Sequence, residues 1–157
     1  MKTNFLKTIV LAGLLVGSLD ILAAFISFYI QTGRNPIVVL KYIASAVFGK
    51  KAYAGDAMMP ALGLLFHFMI AFIWTIFFFL IYPRLKFLSQ NKILTAVLYG
   101  IFIWIVMNRL VVPISKASVS TVFNWKQAAI GASSLIVAIG IPLSFLAYRF
   151  YYRKAIA

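Results

Sequence analysis

The chain has 157 residues, of which 64% are hydrophobic, 17% aromatic and only 11% charged, too little polar surface to cover a soluble globule. It contains no cysteine, which removes disulfides, thiolate metal sites, iron–sulfur ligation and cysteine nucleophiles together. Fifteen Lys and Arg against two acids give a formal charge of +13. The basic residues gather at the ends of apolar runs, where they anchor helices to the anionic headgroups of a lipid bilayer, so nucleic acid is not the expected partner.

The first apolar run covers residues 5–30. It is longer than the core of a secretory signal, and a spanning helix is expected there. Gly13, Gly17, Asp20, Ala24, Ser27 and Gln31 recur at alternating steps of four and three, the seam spacing of packed helices. Asp20 therefore falls on a small-residue face. Asn35-Pro36 then carries a helix-start signature, opening a short apolar helix over 36–49. Twelve or so residues do not cross a bilayer, so this helix is read as interfacial or re-entrant, and a surface helix that simply covers the bundle is the plainer form of that reading.

The second span, 57–82, places Gly63, His67, Ala71 and Thr75 at steps of four. The third, 93–112, repeats the pattern with Ala96, Gly100, Trp104 and Asn108, and the fourth, 127–148, carries a less regular stripe of Gly131, Ser134, Ala138 and Pro142. Small residues concentrate where membrane helices approach closely. The expected fold is thus an all-α membrane protein, one domain over 1–157, with four transmembrane helices in one bundle and the short helix between the first and second. Tyr82, Trp125, Tyr148, Tyr151 and Tyr152 are expected as interfacial anchors.

Holding an ionisable group in hydrocarbon is costly, which makes Asp20 and His67 the first candidates for a site. Each lies about ten residues from the same side of the bilayer, roughly 15 Å along its helix. Matched depth and inward facing predict coupling, directly or through one water. Asn108, Arg109 and Ser134 approach from the same side and complete a candidate polar site beneath the short helix. Plainer roles exist for each: Asp20 as a neutral acid bonded to backbone, His67 and Asn108 as interhelical contacts, Arg109 snorkelling to the interface.

One His and two acids are too few for an ordinary metal site or for two-sided haem ligation within one chain. Phosphate loop, dinucleotide fingerprint, paired zinc histidines and serine elbow are absent from the sequence. A Ser–His67–Asp20 triad can be drawn, but without nucleophile-to-base geometry it carries little weight. No catalytic residue, cofactor or metal is therefore expected.

With four spans, both termini share one side with eight of the 15 Lys and Arg, and seven, Arg34, Lys41, Lys50, Lys51, Arg109, Lys116 and Lys126, lie opposite together with Asp56. The positive-inside rule then favours cytoplasmic termini by a narrow margin.

Several motifs carry a resemblance. Gly17-x-x-Asp20-x-x-x-Ala24-Phe25, Ile43-Ala44-Ser45-x-x-Phe48-Gly49-Lys50, Leu62-Gly63-Leu64-Leu65-Phe66-His67-Phe68, and Tyr99-Gly100 followed by Met107-Asn108 and Val112-Pro113 resemble a family of small bacterial four-span membrane proteins of unknown function, over roughly residues 8–150. The His-containing second span and its link to the third are also loosely similar to the YagU-type inner-membrane proteins. The resemblance implies a bacterial inner-membrane location and a compact four-helix unit, and it implies no activity. Two functions stay open: a membrane-embedded polar binding or permeation unit organised by Asp20 and His67, or a non-catalytic structural subunit or assembly factor of a larger membrane complex. The glycine stripes also permit a homo-oligomer.

Overall fold

The computed structural model describes residues 2–54, 57–84, 90–117 and 124–152. Asp56, Lys86, Arg153 and Lys154, which enter the charge count above, lie outside them. Most of the described residues are helical, with no strand among them. Four helices are long and apolar enough to cross a membrane: α1 (Lys2–Thr32), α4 (Met58–Ile81), α5 (Lys92–Ile114) and α6 (Trp125–Tyr152). Between the first two come α2 (Ile37–Phe48), a shorter apolar helix, and the single turn α3 (Lys51–Ala54). This is a multi-pass, all-α membrane bundle.

The helix ends follow from local chemistry. Gly33 and Gly49 adopt φ of 64° and 60°, a left-handed conformation open to glycine, and their N–H groups close the last turns of α1 and α2 on the carbonyls of Tyr29 and Ser45, each at 2.8 Å. At the opening of α2 the Asn35 side chain accepts from the N–H of Ile37 at 3.0 Å. Asn91 and Asn124 cap α5 and α6 in the same way, each accepting from two backbone N–H groups, which satisfies donors that a helix start leaves open.

Glycines set the helix contacts. A Cβ at Gly17 would stand 2.8 Å from the Phe68 ring and 3.2 Å from Ala71, and one at Gly13 would run into Phe72, so α1 lies directly on α4. Gly63 faces the Leu40 backbone carbonyl and brings α2 onto α4, where Phe48 stacks on Phe66 at 6.1 Å. Gly100 faces Ile136, and Gly140 faces the Ala96 carbonyl, which joins α5 to α6. Hydroxyls add ties across the bundle: Tyr99 donates to the Trp74 carbonyl at 2.6 Å, Ser144 to that of Lys92 at 2.7 Å, and Tyr151 to that of Phe79 at 2.7 Å.

Tyr82 departs from its expected role as an interfacial anchor. It is fully buried against Phe78, Tyr151 and Tyr152, because the aromatic last turn of α6 packs against the end of α4. Trp125, by contrast, is 81% exposed.

Two of the spans contain a π-helical turn, Met107–Val111 in α5 and Ile136–Gly140 in α6. In each, the residue after the turn reaches back five positions: Val112 N–H to the Met107 carbonyl, and Ile141 N–H to that of Ile136. Both turns stop two residues before a proline, Pro113 and Pro142. A proline ring cannot donate and crowds the carbonyl four residues back; here those carbonyls belong to Arg109 and Ala138, inside the π turns. Widening the preceding turn is one way a helix accommodates that clash.

Candidate functional site

His67 is buried, and its Nε2 lies 2.8 Å from the Gly17 carbonyl across the α1–α4 contact. A carbonyl accepts only, so Nε2 carries the proton and donates. In the neutral ring Nδ1 then keeps its lone pair and is an acceptor. The absent side chain at Gly17 is what allows this approach, and the Phe68 ring, at 5.6 Å and nearly perpendicular to the imidazole, closes one side of it.

Asp20 stands three residues, about one turn, beyond Gly17 on α1. Among the described residues no direct hydrogen bond joins Asp20 and His67: the imidazole turns its Nε2 to the Gly17 carbonyl instead. They share a cavity of about 550 Å³, walled by α1, α2, α4, α5 and α6. Its lining is largely apolar, and Tyr42, Phe66 and Trp74 supply aromatic faces. Tyr42 belongs to α2, which thereby covers the cavity; burial, and secondarily Tyr53, push its hydroxyl above the ordinary tyrosine range, so it stays neutral.

A second space, of about 510 Å³, lies between α1, α5 and α6 and is more polar: Ser27, Gln31, Asn108, Gln127 and Ser134 line it with Asp20. Gln31 and Gln127 are exposed, at the last turn of α1 and the first of α6, so this cleft faces the membrane surface opposite the termini. Asp20, Ala24, Asn108 and Leu135 line both spaces. The carboxyl and the Asn108 amide therefore stand at the partition between a polar cleft and an apolar cavity, with Asn108 held by donation from its Nδ2 to the Trp104 carbonyl at 2.9 Å.

Of the residues singled out from sequence, Asp20, His67, Asn108 and Ser134 line one or both spaces, whereas Arg109 is exposed and lines neither. Gln127, Trp104 and Tyr42 also contribute walls and were not among the candidates. Gln127 carried a readable signal, a polar side chain at the first residue of the expected fourth span, on the same side of the bundle as Gln31. The π turn that carries Asn108 was signalled by Pro113.

The class these features define is a four-span helical membrane protein with a polar cleft and an apolar cavity meeting at one carboxyl. Comparison with family models, curated proteins and solved structures gives no match.

Proposed function

We propose that the protein is a membrane-embedded binding and permeation unit for a small cationic or hydrogen-bond-donating ligand, organised by Asp20 and His67. One observation carries the reading: Asp20 lines both the surface-facing cleft and the apolar cavity. An ionised Asp20 offers only acceptors at the meeting point, and a neutral His67, whose Nε2 donates to the Gly17 carbonyl, would add Nδ1 as a further acceptor. A protonated amine supplies the matching donors and charge, and the aromatic faces of Phe66, Trp74 and Tyr42 suit a cation. A volume of about 550 Å³ falls in the range of small-molecule sites. With the termini on the cytoplasmic face of a bacterial inner membrane, the cleft opens away from the cytoplasm.

The lack of native cysteine makes accessibility labelling a clean test. Ser27→Cys and Ser134→Cys are expected to react with membrane-impermeant thiol reagents from the side opposite the termini, while Leu22→Cys, on a lipid-facing surface, stays inert. A cationic reagent should outpace an anionic one, and Asp20→Asn should abolish that preference. Cleft cysteines as inert as Leu22→Cys, or charge-blind rates, would sink the proposal. The structural-subunit reading draws on the His67–Gly17 bond, which ties α4 to α1, and it predicts those inert cysteines.

A further inference from the structure

At the opposite end of the bundle a groove of about 560 Å³ runs between α1 and α6, remote from the cleft and independent of the function proposed for it. On α1 its wall begins with Asn4, Lys7 and Thr8 and continues into Leu11 and Leu15; on α6 it begins with Phe150 and Arg149 and continues one turn inward to Leu146. Each wall thus carries a cation toward the helix end and a leucine about one turn further in. From Lys7 to Leu15 is roughly 12 Å along the helix, less than one leaflet of hydrocarbon, about 15 Å. Among the described residues no acid lines the groove.

We propose that this groove binds one anionic phospholipid, with Lys7 and Arg149 on its phosphate and Leu11, Leu15 and Leu146 along an acyl chain. The shape and polarity are those of an amphiphile. Two cations on opposite walls of the groove, Lys7 on α1 and Arg149 on α6, select a headgroup of net negative charge over a zwitterionic one. A basic side chain at a membrane surface favours anionic lipid by about fivefold, and two by roughly 30-fold at low salt. The apolar end separates this from simple attraction of headgroups to a basic surface, because it also requires a chain of hydrocarbon between two helices.

Native mass spectrometry of the full chain in mild detergent, with equal amounts of phosphatidylglycerol and phosphatidylcholine, tests it. The wild type should retain one phosphatidylglycerol with the larger preference. K7Q/R149Q should lose that preference, and K50Q/K51Q, with exposed lysines beyond the far end of α2, should keep it. Leu11→Trp, which fills the apolar end from a position already 58% exposed, should lower retention with both charges intact. Excess inorganic phosphate should leave the lipid in place; displacement by it would make this a free-anion site and overturn the proposal. Equal retention of the two lipids by wild type would overturn it too, a comparison that stands even if K7Q/R149Q does not fold. So would loss of preference in K50Q/K51Q matching that of K7Q/R149Q, or Leu11→Trp retaining lipid as wild type does.

Discussion

Gly17 is where packing and site chemistry meet, and replacing it with leucine tests both. A Cβ there already stands 2.8 Å from the Phe68 ring and 3.2 Å from Ala71 Cβ, against about 3.5–4.0 Å for relaxed carbon contacts, and leucine adds three further carbons behind it. Overpacking of this kind costs about 1–3 kcal/mol. Forcing α1 from α4 also stretches the His67–Gly17 bond of 2.8 Å, an interhelical contact worth about 0.6–2 kcal/mol in membrane proteins. Gly17→Leu should therefore lose about 2–4 kcal/mol, and Gly17→Ala less, because the Phe68 ring can turn aside. Leu22→Ala, at a position 53% exposed to lipid, should change stability by less than about 1 kcal/mol, since lipid tails replace the lost contacts. Reversible unfolding in mixed micelles, followed by circular dichroism, measures all three. Gly17→Leu as stable as Leu22→Ala would refute the α1–α4 contact, whatever the site does. Partial recovery in Gly17→Leu/Phe68→Ala would identify the ring as the clashing partner.

Asp20→Asn, His67→Gln and the double mutant should be non-additive by at least about 0.5 kcal/mol, because the two groups line one cavity; additive unfolding energies would separate them. Gly63→Ala should be less tolerated than Gly17→Ala in the same unfolding assay, since its Cβ meets the Leu40 backbone carbonyl rather than a ring that can rotate; the reverse order would contradict the seating of α2 on α4. Asn91→Ala should cost about 1 kcal/mol through loss of the α5 cap, and Asn91→Asp, which keeps the acceptor, should recover most of it. A silent Asn91→Ala would show that solvent satisfies those N–H groups.

The four spans were readable because a bilayer obliges each crossing segment to satisfy its own backbone hydrogen bonds, which makes a span a property of local composition. The small-residue stripes were readable for a related reason: helical periodicity turns Gly13, Gly17, Gly63 and Gly100 toward neighbours before those neighbours are known. Their partners were not readable. Gly63 shares a stripe with His67, yet it meets α2 while His67 reaches α1, a division set by how the helices are rotated and slid against one another. The same is true of the two spaces meeting at Asp20, and of Arg109, which neighbours Asn108 in sequence but lines neither space. Nor does apolarity separate lipid from protein interior in a membrane. Phe77 is 38% exposed while Phe78 and Phe79 are fully buried, three identical side chains whose surroundings only the packed bundle distinguishes.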